Sequence, residues 1–353
     1  MTNSLIINLI FPYKWSNSYS MFVYWENISN SYKKLWYNVN IISCPKIRLI
    51  NNRLSDLFTR YIYYPIYLSI IWINKGWVFH IIDHSYAYLW MSIFYKKNKI
   101  VTCHDLMPLI YPKYVWRIAH MLFYMNIKCL SSYKHIITDS ENTKKDLINI
   151  LKLKPEKITT IPLAYNKESY NSNNINKNSD KFTILLIGSS FYKNIKFALE
   201  WISEFIQKYK ISNIRIIKIH KFNKDEQSFI NKNLNWVEII EKFRISNEEV
   251  ASIYKQSDLL IFPSLYEWFW LPILEALACW VNVITTRNWS LEEVWWDACI
   301  YVWTEIDKLC KYIHQIYDDE LWIRNILSKK WKLQCEKFNW ETTANLTLKI
   351  YEI

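Results

Sequence analysis

Two glycines serve a chain of 353 residues that carries nineteen tryptophans. No other feature restricts its folding as much. Glycine is the residue that takes positive φ without a Cβ penalty and lets two backbones approach closely. Ordinary proteins use it at about 7% of positions, and tryptophan can do neither job. Read as glycine, most of the tryptophans would restore an ordinary content and give the turns the residues they need. The composition therefore implies that UGA codons meaning glycine in the source organism stand here as tryptophan.

With 51% hydrophobic and 17% aromatic residues, the chain is not a disordered one. Its most apolar window, Tyr61 to Asn74, lies between Arg60 and Lys75 and is shorter than the ~20 residues needed to span a bilayer. Met1 to Phe11 lacks a basic leader segment, so no secretion signal is expected. The seven cysteines form no CxxC pair and read as reduced thiols. A cytoplasmic protein, peripheral on the inner face of a membrane, is the expectation.

Charge divides the chain. Residues 1–165 hold 20 Lys and Arg against 8 Asp and Glu, whereas residues 166–353 hold 24 of each. Between them, Asn166 to Lys181 is polar and aperiodic, as a linker is. The expected organisation is a domain over 1–165, a linker over 166–181, a second domain over 182–340, and a helix over 341–353 that packs back across the junction. Both halves alternate β-rich runs with helical periods. Leu5–Phe11, Val39–Ser43, Val78–Ile82, Ile100–Cys103, His135–Thr138 and Lys157–Ile161 read as strands in the first. In the second, Thr183–Ile187, Ile214–Ile219, Val237–Ile240, Leu259–Phe262 and Val281–Thr285 do. Ser140 caps a helix over Glu141–Leu151, and Ser246 to Glu249 spell a capping box. Such alternation predicts an α/β chain with two doubly wound parallel sheets, with ligands at the carboxyl ends of the strands.

The chemistry concentrates in FPSLYEWFWLPILEALACW, residues 262–280. Pro272 suits a first helical turn, which makes 268–271 the loop entering a helix whose free N–H groups favour a diphosphate. Glycine at 268 and 270 would let backbone come within hydrogen-bonding reach of such a ligand. Glu275, one turn into the helix, and Glu267, in the loop, are carboxylates placed to accept from hydroxyls near it. The bland alternative makes both carboxylates solvated residues that complement the helix dipole.

With glycine for tryptophan this string becomes FPSLYEGFGLPILEALACG, and it resembles the donor-binding segment of family 4 retaining glycosyltransferases, with Glu267 and Glu275 as the Glu-x7-Glu pair. The resemblance implies the GT-B fold, two Rossmann-like domains facing across a cleft, with Glu275 accepting from both hydroxyls of the donor ribose and Glu267 facing the transferred sugar or its leaving phosphate. VTCHDLMPLIYPKY, residues 101–114, resembles the HDL strand end of the mannosyltransferase-like members. His104 and Asp105 are then expected to position sugar or acceptor, with a base role for Asp105 as a weaker option. His84 is expected on the acceptor side or in packing. ILLIGSSFYKNIK, residues 184–196, resembles the loop that clamps the diphosphate with an Arg-Lys pair. Gly188 and Lys193 match, but Tyr192 stands where the arginine belongs, so one cation of the clamp is missing. A lysine alone still stabilises a departing pyrophosphate. Phe243 and Arg244 are weaker donor candidates, as is Trp15, whose glycine counterpart approaches the donor phosphate. Trp268, Phe269, Trp270 and Leu271 complete the donor loop. Trp36 and Trp280 occupy helix-ending positions where glycine is favoured, and Trp295 and Trp296 would form a Gly-Gly turn. Trp340 is expected to be a genuine tryptophan.

The expected activity moves a mannose-like or glucose-like hexose from a GDP- or UDP-linked donor to a lipid-linked or polysaccharide acceptor, with retention, in cell-envelope glycan synthesis. No cofactor and no metal are expected. The basic first half suits an anionic membrane surface, at roughly 1 kcal/mol per well-placed cation. Competing readings are a sugar-nucleotide epimerase of the same fold and a non-catalytic or nucleic-acid-binding protein. No compact basic cluster interleaved with aromatics supports nucleic-acid binding.

Overall fold

The computed structural model describes residues 6–12, 19–49, 51–71, 77–171, 180–267, 269, 271–286, 299–301, 305–318 and 334–352. The expectations for Trp15, Trp268, Trp270, Trp295, Trp296 and linker residues 172–179 lie outside these. The chain forms two compact units, one of residues 1–163 with 340–353, the other of residues 164–339.

The first unit is built on a six-stranded sheet in the order β2-β1-β3-β4-β5-β6. Its strands are β1 (Ile6–Ile10), β2 (Asn38–Ile42), β3 (Val78–Ile81), β4 (Lys99–Cys103), β5 (His135–Thr138) and β6 (Ile158–Thr160). All pairings are parallel. Strands β3, β4 and β5 are buried along their whole length, as strands of a parallel sheet covered on both faces are, and they bury polar His80, Lys99, Thr102, His135 and Thr138 with their apolar residues. Ser140 caps the helix Glu141–Leu151 by accepting from the Thr143 amide. The helix Trp340–Glu352 belongs to this unit. Tyr351 OH meets His80 Nδ1 at 2.7 Å and Tyr32 OH at 3.0 Å, and Thr343 Oγ1 donates to the Pro162 carbonyl. Burial holds His80 near a pKa of about 3, so its ring is neutral and bridges Tyr351 to Thr102.

The second unit repeats the plan in the order β12-β11-β10-β7-β8-β9. Its strands are β7 (Phe182–Ile187), β8 (Ile214–Ile219), β9 (Glu238–Lys242), β10 (Leu259–Phe262), β11 (Asn282–Thr285) and β12 (Ile300–Tyr301). The two-residue β12 is too short to carry a sequence period, which is why alternation alone misses it. The capping box of Ser246 and Glu249 is formed. In both sheets the chain first builds outward on one side and then crosses to the other. The reversals fall between β1 and β3, and between β7 and β10. Diverging loops at such a reversal leave a crevice at the carboxyl ends of the strands.

Two helix ends bear on the glycine question. The helix Tyr19–Lys34 closes with Tyr37 N–H on the Tyr32 carbonyl (3.0 Å) and Trp36 N–H on that of Lys33 (3.0 Å). The helix Leu271–Ala278 closes with Val281 N–H on Ala276 (2.9 Å) and Trp280 N–H on Leu277 (3.1 Å). Both are Schellman closures, which place the C′ residue in the left-handed region. That residue is tryptophan each time, with φ of +63° at Trp36 and +60° at Trp280.

Candidate active site

The site of the second unit grows from the β7–β10 reversal. After β7, Gly188 takes φ +102° and donates to the Ile219 carbonyl. The stem of Lys193 crosses directly over it. A Cβ at 188 would stand 2.7 Å from Lys193 Cγ, so a side chain there would displace the lysine. After β10, the loop through Ser264 runs alongside, and Leu265 N–H donates to the Tyr192 carbonyl at 2.7 Å. Two loops remote in sequence are thus stitched together, and Lys193 Nζ reaches Glu267 Oε1 at 2.5 Å. Ser264 Oγ donates to the same oxygen. Glu267 is 3% exposed. Burying this pair costs desolvation that an apolar pair would avoid.

Glu275 projects from the helix Leu271–Ala278 and accepts from Tyr254 OH at 3.0 Å and from Tyr170. Burial pushes its carboxyl up to about 7 against the lowering effect of those two donors. Ser264, Tyr254 and Tyr170 escaped the sequence reading. Ser264 sits inside the same motif and was within reach; the tyrosines became neighbours only through packing.

In the first unit, His104 follows β4, but its ring turns inward. Nδ1 lies 2.5 Å from Asp139 Oδ2, and Nε2 donates to the Ile82 carbonyl at 2.7 Å. Burial disfavours the charged ring, yet Asp139 and these hydrogen bonds outweigh it and lift His104 to about 9. His104 is therefore a buried imidazolium, where the sequence suggested a strand-end residue that positions sugar or acceptor. Asp105 is half-buried, and its Oδ1 accepts from the Met107 amide. His84, buried at the end of β3, accepts the His104 amide on Nδ1, and burial lowers its pKa. The structure thus gathers His84, His104 and Asp139 in one polar cluster.

The other donor candidates separate. Phe243 and Arg244 follow the edge strand β9, two strands from β7, with Arg244 stacked on Phe243 and His220 beside it. The Phe269 side chain is buried against Phe338. Tyr192 offers its carbonyl to the neighbouring loop, and Leu271 opens the helix.

Two six-stranded parallel-sheet α/β units of this topology define the GT-B fold. Solved structures agree over nearly the whole chain. Sucrose-phosphate synthase from Thermosynechococcus elongatus superposes with a TM-score of 0.77 at 16% identity, covering 99% of this chain and 98% of that one. WaaG, a glycosyltransferase involved in lipopolysaccharide biosynthesis, gives 0.72 at 11%, covering 98% and 99%. Residues 32–169 match the family model Glycosyltransferase Family 4, and residues 168–334 match Glycosyl transferases group 1. Among curated relatives, O-antigen chain mannosyltransferase B of Escherichia coli is 32% identical over 110 residues, 31% of this chain and 29% of that protein. Serotype-specific mannosyltransferase WbdA of Escherichia coli is 22% identical over 268 residues, 70% of this chain and 32% of that protein. O-antigen chain mannosyltransferase RfbU of Salmonella typhimurium is 25% identical over 217 residues, 58% and 57%. The chain spans from less than a third to little more than half of these relatives' lengths.

Proposed function

We propose that the protein is a retaining hexosyltransferase that moves a mannose-like or glucose-like sugar from a GDP- or UDP-linked donor to a lipid-linked or polysaccharide acceptor in envelope glycan synthesis. The observation that carries this reading is the Lys193–Glu267 pair held across the β7–β10 reversal, with Glu275 in the adjoining helix. A donor diphosphate entering this crevice meets the Lys193 ammonium, whose charge offsets the negative charge that builds up as the sugar–phosphate bond breaks. Glu267, freed from part of its contact with Lys193, accepts from a sugar hydroxyl. Glu275 accepts from the ribose. With the acceptor hydroxyl on the face that the diphosphate leaves, the phosphate itself takes the proton, and no separate base is needed. The mannosyltransferase relatives favour mannose. Asp105 and His84 are assigned to the acceptor side, and the basic first unit to an anionic membrane surface.

The proposal extends to the chain's chemistry: tryptophans at 15, 36, 268, 270, 280, 295 and 296 are glycines in the native protein. Support comes from Trp36 and Trp280, whose left-handed φ suits glycine and penalises any residue with a Cβ. Mass spectrometry of native protein decides this point, since tryptophan-containing peptides over 268–296 would refute it. The activity is tested on the glycine form with a panel of nucleotide sugars. One donor is expected to raise the thermal midpoint and to support anomer-retaining transfer that Lys193→Ala slows roughly 10²–10³-fold. Inversion at the anomeric carbon, or no response to any donor, defeats the reading.

A further inference from the structure

We infer that the carboxyl ends of β3 and β4 form a recess that binds the hydroxyls of an uncharged pyranose, with Asp83 joining His84 and Asp105 as a recognition residue. The two strands are neighbours, Asp83 Oδ1 lies 3.9 Å from His84 Nδ1, and Asp105 acts on the same ring. Each of the three side chains has one polar atom tied to a main-chain amide. Asp83 Oδ1 accepts from Ser85 N–H at 2.8 Å, His84 Nδ1 from His104 N–H at 3.2 Å, and Asp105 Oδ1 from Met107 N–H at 3.0 Å. Asn126 Nδ2 donates to the His84 carbonyl at 3.1 Å and fixes the backbone as well. The second polar atom of each, Asp83 Oδ2, His84 Nε2 and Asp105 Oδ2, carries no hydrogen bond, and none is sealed from solvent. Asp83 and His84 are nevertheless only 7% and 6% exposed. A cap needs a single carboxylate oxygen, so capping explains one end of each aspartate and leaves the other. Three anchored groups thus present one free end each before any ligand arrives.

The donors and acceptors on offer select the ligand. With Nδ1 accepting, the neutral His84 ring carries its proton on Nε2, a donor beside two carboxylate acceptors. A hydroxyl accepts from Nε2 and donates to a carboxylate oxygen at once, and a pyranose offers several such groups. A phosphate only accepts and an ammonium only donates, so each would leave one kind of group unmet. Charge agrees. The Arg60 guanidinium, which acts on Asp83, donates to the Ser85 carbonyl at 2.6 Å and packs over the Tyr86 ring at 4.5 Å, and its Nε does not reach solvent. The His104 imidazolium is held by Asp139. Both cations of the cluster are engaged by the protein, whereas Asp105 has no cationic partner among the described residues. Phe123, half-buried and edge-on to the His84 ring at 5.6 Å, supplies an apolar wall for the C–H face of a sugar. None of these residues is a tryptophan, so the recess is independent of how UGA is read. This inference deepens the acceptor side of the proposed reaction and rests on that reading only for calling the pyranose an acceptor.

The test is saturation-transfer NMR on the full chain with the methyl α-pyranosides of mannose, glucose and galactose, and with the 6-phosphates of the same sugars. At least one methyl pyranoside is expected to bind, and more tightly than its 6-phosphate. Two substitutions of one histidine separate recognition from structure, since an asparagine amide reaches the Nδ1 position and a glutamine amide the Nε2 position. His84→Asn keeps an acceptor for the His104 amide and loses the free donor. Its urea midpoint is expected to stay near the parent's while pyranoside binding weakens roughly tenfold. His84→Gln keeps the free donor and is expected to bind better than His84→Asn. Asp83→Asn keeps the oxygen that accepts from Ser85 and exchanges the free acceptor for a donor, with a loss of roughly tenfold or more. Equal binding of ester and glycoside, no binding of any glycoside, or parent-like binding by His84→Asn and Asp83→Asn overturns the recess. So does binding that merely follows the urea midpoints across the three variants. A donor-induced thermal shift retained in all three leaves the transferase reading standing even then. A parent without any donor shift defeats that reading instead, while glycoside binding with the expected variant pattern still upholds the recess.

Discussion

Position 36 offers a direct measurement of the glycine argument. Trp36 is 80% exposed and holds φ +63° at a Schellman closure. Replacement by alanine or by glycine removes the same indole, so the burial lost is common to both variants. What differs is the backbone. At an ordinary helical position alanine is more stable than glycine by about 1 kcal/mol. In the left-handed region the Cβ meets the following carbonyl, at roughly 1–2 kcal/mol. That exceeds the ~0.4–1 kcal/mol by which glycine loosens the unfolded chain. Trp36→Gly is therefore expected to be more stable than Trp36→Ala by about 1 kcal/mol, and the same order is expected at Trp280. Trp201, buried inside the helix Ile195–Tyr209, supplies the opposite case. There both variants lose stability through the cavity, by ~3–5 kcal/mol, and alanine stays ahead of glycine. Urea unfolding followed by circular dichroism, which does not depend on indole fluorescence, reads all six variants. Alanine equal to or ahead of glycine at 36 and 280 would refute the reasoning.

Other outcomes follow from the two sites. Lys193→Ala strands a buried carboxylate and is expected to cost about 3–5 kcal/mol, most of it recovered by adding Glu267→Gln; a double-mutant cycle on urea midpoints checks this. In the transfer assay, the same loss of one cation at the leaving group lowers kcat roughly 10²–10³-fold. Glu275, with its folded pKa near 7 against an ordinary 4.5, stabilises the ligand-free protein below the lower value and loses that contribution as pH rises through about 7. In the proposed reading the ionised carboxylate accepts from ribose, so calorimetric donor affinity should rise over the same pH range and flatten in Glu275→Gln. His104, lifted to about 9 from 6.5, contributes stability fully below 6.5 and loses it as pH rises through about 9. Asp139→Asn should remove that slope, which the pH dependence of the urea midpoint reports.

Local pattern was enough for the parts of this protein that local physics governs. Val, Ile and Leu runs such as LLIF at 259–262 read as strands because a strand covered on both faces has no polar positions to disguise it. Ser140 and the Ser246–Glu249 box marked helix starts, since a cap and its amide are neighbours in sequence. Glu267 and Glu275 were legible because one loop and one helix carry both. Even the two αL helix ends were foreshadowed, by residues whose size contradicts their place.

Contacts between remote segments could come only from the fold. Nothing local tells Lys193 that Glu267, 74 residues on, will be 2.5 Å away. That distance follows from the strand order, which puts β7 beside β10, and from a glycine small enough for the lysine to pass over. Nor did the HDL string show that the His104 ring would turn in to Asp139. A side chain's direction is chosen by the partner that offsets its desolvation, and that partner arrived on another strand's loop.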